Sequence, residues 1–153
     1  MDKFELARDI FEIVCNGLDA TGYRYSKDAE KLAITINFSG EDIPMNFAMI
    51  VKPDLNVLRL LSIMPYKIVE DKRLEAALAV AHVNNRLNIG MFSLDLSDGS
   101  LIFEINQLYD ETKFGEGLVN SLLSISGYFV EEYNDRFLML SKGVLSLQDF
   151  MNK

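Results

Sequence analysis

The stretch from residue 31 to residue 64, KLAITINFSGEDIPMNFAMIVKPDLNVLRLLSIM, decides the fold. Its apolar residues recur at a period of two, which is typical of half-buried strands. Gly40-Glu41-Asp42 and Pro53-Asp54 supply turn-forming residues between the alternating segments. The stretch therefore predicts an antiparallel meander of three strands, over residues 31–39, 45–51 and 57–64.

The two faces of this meander differ in what covers them. Helices can cover only one face economically, and the other face is expected to be less polar than the alternation of the first strand predicts, because of Ala48, Ile50, Leu58 and Leu60. An uncovered apolar sheet face usually meets a partner. The alternative is that a loop or the C-terminal segment covers it, and the sequence leaves both interpretations open.

Helical spacing flanks the meander on both sides. Apolar residues at steps of three and four, from Phe4 to Leu18, predict a first helix of about 18 residues. A second helix is predicted from about residue 69 to 87, with apolar residues that face more than one way, so it can pack in its own core and against a neighbouring subunit. A long helix is predicted from near residue 113 to Lys142-Gly143, and Ser146 starts a short final helix.

A hairpin is predicted between the second and third helices. Asp98-Gly99 is a strong signal for a two-residue hairpin loop. With these two residues as the loop, Leu94 pairs with Phe103 and Phe92 with Ile105. These four residues, with Leu96 and Leu101, then share one apolar face.

The predicted order is helix, three strands, helix, two strands, long helix and short helix. Together with NNRLN at residues 84–88, GMFSLD at 90–95 and Asp98-Gly99, it resembles the bacterial YbjN family and the wider type III secretion chaperone-like superfamily. The resemblance implies one α+β domain over residues 1–153, of order α-β-β-β-α-β-β-α with an antiparallel sheet. It also implies a protein that dimerises, binds polypeptides or acts in regulation, and has no catalytic centre. In the chaperone branch, the first helix and the meander hold an extended segment of a secreted partner.

Composition excludes several classes of function. The 153 residues, 49% of them hydrophobic, suit one compact domain. The 23 acidic and 15 basic residues give a net charge of −8, which disfavours binding to the negatively charged backbone of nucleic acid. One cysteine and one histidine cannot build a structural zinc site, and a single thiol suits a reducing cytoplasm. We expect no secretory signal in the acidic first residues, and no membrane span, because the longest apolar run covers only residues 76–81.

The residues with catalytic potential are isolated from one another. His82 is the only candidate for a general base near neutral pH, but no carboxylate lies one helical turn away to orient its ring. Cys15 lies inside the first helix without a neighbouring base that would lower the pKa of its thiol. Residues 95–99 lack the alternating ligands of a calcium loop, and residues 115–120 lack the third glycine of a dinucleotide fingerprint. We therefore assign no catalytic residue, cofactor or metal.

These observations predict a non-catalytic cytoplasmic homodimer that holds a partner polypeptide on apolar helix and sheet surface. Strand addition and helix-in-groove binding both suit such a surface. The residues predicted to contact the partner are Phe4, Phe11 and Leu18 on the first helix, and Ile50, Leu58 and Leu60 on the sheet. The alternative is a small-molecule sensor with an apolar pocket between helix and sheet.

Overall fold

The computed structural model describes residues 2–153, which form four α-helices and six strands. Their bounds are α1 Lys3–Thr21, β1 Ser26–Asp28, β2 Ala33–Phe38, β3 Met45–Lys52, β4 Val57–Lys67, α2 Arg73–Asn84, β5 Met91–Leu94, β6 Ser100–Leu108, α3 Glu116–Ser141 and α4 Leu147–Met151. A short 3₁₀ turn, Glu70–Lys72, precedes α2. The predicted α+β class and order of elements are confirmed, with the addition of β1.

The strands form one antiparallel sheet in the order β1-β2-β3-β4-β6-β5. The predicted meander corresponds to β2, β3 and β4, and β6 joins the sheet beside β4. The sequence did not predict β1, because its three residues are all exposed and carry no apolar alternation.

All four helices pack on one face of the sheet or against each other. Helix α3 contacts β3, β4 and β6, α1 contacts β3 and α3, α2 lies beside β5, and α4 packs on α2 and α3. Fully buried rings connect these layers. Phe103, Phe92, Phe137 and Phe150 follow one another with ring centroids 5.1, 5.2 and 4.9 Å apart, so they join β6, β5, α3 and α4.

The pairing of β3 with β4 corrects the predicted sheet faces. Met49 lies opposite Leu60, and Val51 lies opposite Leu58, so both leucines share the helix-covered face. Ala48 and Ile50 share the other face with Leu61 and Arg59 instead. The reason is the four-residue connection between the paired residues Lys52 and Val57, which sets even-numbered residues of β3 opposite odd-numbered residues of β4.

The predicted register of the β5–β6 hairpin was wrong by two residues. Leu94 pairs with Leu101, and Phe92 pairs with Phe103. The loop is longer than two residues because Asp95 accepts a hydrogen bond from Ser97 N–H through its carboxylate, at 2.9 Å, and from Gly99 N–H through its carbonyl, at 2.8 Å. A shift of two keeps these four apolar residues on one face but removes Leu96 from the sheet.

A candidate partner-binding face of the sheet

The face of the sheet that points away from the helices carries several aliphatic side chains. The register places on it a row of β4 residues, Val57, Arg59, Leu61 and Ile63, opposite a row of β6 residues, Leu108, Asn106, Glu104 and Ile102. The neighbouring strands add Ala48, Ile50 and Met91. We call these eleven residues the open face.

Several side chains of the open face are accessible to solvent. Ile63 is 56% exposed, Leu108 is 71% exposed and Met91 is 45% exposed. Ile50, Leu61 and Ile102 are partly buried by their neighbours in the sheet. A solvent-facing side of an antiparallel sheet usually carries polar side chains, so this concentration of aliphatic residues requires a reason.

One ion pair crosses the open face. Arg59 donates to a single oxygen of Glu104, Oε2, from Nη2 at 2.7 Å and from Nε at 3.0 Å. The side chain of Arg59 is 34% exposed and that of Glu104 is 15% exposed. The pair lies between the Val57–Leu108 and Ile63–Ile102 pairs of the two strands, so it fixes two charges between aliphatic side chains.

The structure does not bring together the six residues predicted to contact a partner. Phe11, Leu18, Leu58 and Leu60 are buried in the core, because they face the layer between the helices and the sheet. Phe4 stays half exposed on α1, on the helix side. Ile50 lies on the open face, and it is the one predicted sheet residue that this surface contains.

The residues that sequence reasoning missed are those that the β3–β4 register exposes. Leu61 and Ile63 are absent from the predicted contact residues, because the prediction placed Leu58 and Leu60 on the uncovered face instead. The signal that could have found them is the length of the connection between β3 and β4. The four-residue loop between these paired strands determines which residues of β4 lie on the same face of the sheet as Ile50.

A second exposed apolar surface lies on α2. Leu74 is 76% exposed and Leu78, one turn later, is 59% exposed. The opposite side of the same helix is buried through Ala76, Ala79 and Val83. The helix thus carries apolar residues on both a buried and an exposed side, as its sequence predicts.

The two candidate reactive side chains lie apart from the open face. Burial raises the pKa of the Cys15 thiol, which keeps it protonated at neutral pH. His82 lies on α2 with a buried Nε2 that has no hydrogen-bond partner among the described residues. Within residues 2–153, no group of three or more potential metal-binding side chains is present.

The layer between helices and sheet is filled rather than hollow. Phe47, Phe92 and Phe103 are fully buried there beneath α3. One cleft lies at the margin of this layer, between α1 and β1, and is lined by Cys15, Asp19 and Lys27. No helix within residues 2–153 combines the length and apolar character that crossing a membrane requires.

Comparison with known proteins gives structural matches only. No protein-family model matches the sequence, so membership of the YbjN family is not confirmed, and no curated protein sequence matches it. A chain in the HopA1-SchA chaperone-effector complex matches with a TM-score of 0.59 and 10% identity, over 85% of this chain and 97% of that chain. A chain in the ExsC-ExsE complex matches with a TM-score of 0.56 and 11% identity, over 87% and 96%. The protein shares the fold of these two chains.

Proposed function

We propose that this protein is a non-catalytic binding protein that holds a partner polypeptide on its open face. The observation that carries the proposal is the contrast between the two sides of the sheet: helices seal one side, and the other exposes several aliphatic side chains. The fold likeness to a chain from a chaperone-effector complex supports the same conclusion. The single buried thiol suits a reducing compartment, and we place the protein in the cytoplasm.

The exposed aliphatic side chains provide a physical reason for binding. Full burial of a side chain such as Ile or Leu contributes about 1.5–3 kcal/mol. More than half of Ile63 and of Leu108 remains in solvent, so roughly half or more of this free energy is still available to a partner that buries them. The Arg59–Glu104 pair adds orientation, since a partner must leave it paired or provide new hydrogen bonds.

Replacement of Ile63 tests the open face. Proteins that the wild-type protein captures from the source cell are identified by mass spectrometry. The affinity of each purified partner is then measured for three proteins: wild type, Ile63→Asp and the control Val144→Asp. Val144 is 73% exposed in the connection between α3 and α4, outside the open face. We expect Ile63→Asp to weaken binding at least about tenfold and Val144→Asp to retain it. Equal affinities for all three proteins would contradict the proposal.

We further propose that two copies associate through α2. Leu74 and Leu78 form a patch on one side of the helix, next to the small exposed residue Ala81, which permits close approach of a second helix. A two-fold dimer uses the same patch on both subunits, so one short apolar stripe is sufficient to define it.

The mass in solution tests the dimer. We expect wild type to sediment as a dimer and Leu78→Glu to sediment as a monomer, because the substitution places two like charges near each other at the two-fold axis. Val144→Glu is the matched control and should remain dimeric. A wild-type protein that stays monomeric at high concentration would exclude this part of the proposal.

A further inference from the structure

Strand β6 extends beyond the strand that pairs with its outer edge. Strand β5 pairs with residues 101–104 of β6, and its first residue, Met91, lies opposite Glu104. Strand β6 continues to Leu108, and residues 105–108 remain paired with β4 on the inner edge. Within residues 2–153, no strand pairs with the outer edge of this final part of β6.

The hydrogen bonds around β6 show which backbone groups this outer edge leaves free. Tyr109 N–H donates to Asn56 C=O at 3.0 Å, which assigns the odd-numbered residues of β6 to β4. Asp95 N–H donates to Ser100 C=O at 2.9 Å, which assigns the even-numbered residues to the β5 side. The N–H and C=O of Asn106 and the N–H of Leu108 therefore point outward beyond the end of β5. The C=O of Leu108 accepts a hydrogen bond from Gln107 Nε2 at 2.9 Å.

Gly90 explains why β5 stops where it does. Its φ is +79°, and a Cβ at this position would lie 2.6 Å from the ring of Phe103 and 2.8 Å from the side chain of Ile105. The chain at Gly90 therefore passes close to these two side chains of β6, and β5 begins only at the next residue, Met91. Only glycine fits at position 90, because of its positive φ and these short distances. The gap in the sheet edge is therefore built into the fold.

A cleft occupies the place that a longer β5 would have filled. Its helix side is formed by three apolar residues of α3, Leu118, Leu122 and Ile125, together with Ser121. Ile105 and Met91 line it from the sheet. Because strand side chains alternate between faces, a strand placed here would direct one residue towards α3 and the next towards the open face.

We propose that the partner polypeptide adds a short extended segment to the outer edge of β6, beside Asn106, with an aliphatic side chain in the cleft against α3. This inference rests on the proposed function and specifies how the partner binds. Residues 105–108 offer room for about three or four residues of a strand at about 3.4 Å each. The net charge of −8 disfavours an acidic segment, so the segment is neutral or basic.

Amide hydrogen exchange tests the free edge in the protein alone. We expect slow exchange at Ile105 and Gln107, whose N–H groups bond to β4, and fast exchange at Asn106 and Leu108. Protection of Asn106 equal to that of Ile105 would overturn the inference, because the edge would already be occupied.

A designed peptide tests the mode of binding. The probe is fluorescein-labelled Lys-Thr-Val-Lys-Val-Thr-Lys, and its affinity is measured by fluorescence anisotropy. Two counterparts carry backbone N-methyl groups, one on both valines and the other on the central lysine and the second threonine. A strand uses alternate N–H groups at each edge, so we expect one counterpart, and not both, to lose binding. Equal binding of both counterparts, or no saturable binding of the parent peptide up to about 1 mM, would overturn the inference.

Variants of the protein locate the peptide. Asn106→Pro removes the outward N–H and is compatible with folding, because proline is tolerated where the N–H does not enter a ladder. Ser121→Arg fills the cleft from an exposed position, and Ser124→Arg is the matched control on the same helix, outside the cleft. We expect the first two variants to bind the peptide at least about tenfold more weakly, and Ser124→Arg to bind it as wild type does. Unchanged binding by Asn106→Pro and Ser121→Arg would overturn the inference.

The captured partner separates the two proposals. If Ile63→Asp weakens its binding and Ser121→Arg does not, the open face stands and the strand addition fails. If neither substitution has an effect, the proposed function fails as well. If Ser121→Arg converts a dimer into a monomer, the edge pairs with a second copy of this chain, which also overturns the inference.

Discussion

Asn84, the last residue of α2, protects part of the outer edge of the sheet. Its side chain donates from Nδ2 to Phe92 C=O at 2.9 Å and accepts from Phe92 N–H at 2.8 Å. Backbone N–H and C=O groups alternate in direction along a strand. The groups of Met91 and Ser93 face β6, so the N–H and C=O of Phe92 face away from the sheet. One amide side chain thus satisfies the backbone groups of Phe92, which a further strand would otherwise have bound, and this protection does not reach the edge beyond Met91.

Removal of this side chain should destabilise the protein. We expect Asn84→Ala to lower the free energy of unfolding by about 1–3 kcal/mol, because it leaves the backbone N–H and C=O of Phe92 without partners. The measurement is urea denaturation at neutral pH. Asn85→Ala, at an exposed neighbouring position, should stay within about 0.5 kcal/mol of wild type. Equal stability of the two variants would show that the backbone groups of Phe92 do not depend on Asn84.

At the scale of elements, the β5–β6 turn docks against the segment that leads into α2. Ile68 N–H donates to Gly99 C=O at 2.8 Å, and a Cβ on Gly99 would lie 2.1 Å from the carbonyl oxygen of Ile68. Gly99 also has a φ of +81°. The turn therefore requires glycine both for its backbone conformation and for this close approach.

A pair of glycine substitutions separates these two requirements. Gly22, at the end of α1, has a φ of +77° but open space around its missing side chain. We expect Gly22→Ala to cost about 1 kcal/mol of folding free energy, the cost of the left-handed conformation alone. Gly99→Ala should cost about 2–4 kcal/mol, because the turn must also move away from Ile68. Thermal and urea unfolding measure both, and equal costs would mean that the contact with Ile68 contributes nothing.

Sequence periodicity predicted the existence and type of most elements but not their register. Strands β2, β3 and β4 alternate at a period of two, so their pattern depends only on local burial. The hairpin register depended on hydrogen bonds that the carboxylates of Asp95 and Asp98 accept from the backbone N–H groups of Ser97 and Ser100, which compete with a two-residue turn. The predicted second helix began too early because Val69 and the 3₁₀ turn precede it.

At the scale of the whole molecule, the candidate site could be predicted only in part. The residue pattern of the strands predicted one sheet face with excess apolar residues, and of the residues named for it Ala48 and Ile50 share a face while Leu58 and Leu60 lie on the other. The neighbours of Ile50 could not be assigned, because facing residues are determined by pairing across strands and not by the sequence of one strand. Exposure on the first helix was also overestimated, since Phe11 and Leu18 are both buried in the core between the helices and the sheet.

The two layers of the molecule are joined by Tyr66, whose hydroxyl donates from β4 to the carbonyl of Asn134 on α3. Burial, reinforced by the nearby charge of Asp135, raises the pKa of the Tyr66 hydroxyl above its usual range. In the unfolded chain the phenol ionises near pH 10, at about its ordinary pKa. The stabilisation from the neutral phenol is therefore complete below that pH and is lost as the pH rises towards the folded-state pKa.

Replacement of Tyr66 should accordingly change the alkaline limb of the stability profile. We expect Tyr66→Phe to lose about 1 kcal/mol at pH 7, where the hydrogen bond is removed, and to lose less further stability than wild type between about pH 9 and 11. Urea denaturation across this range measures the difference. Tyr128, 66% exposed on α3, provides the control, and Tyr128→Phe should follow the wild-type profile. A Tyr66→Phe profile parallel to wild type at all pH values would show that the bridge between the layers does not depend on the protonation of this hydroxyl.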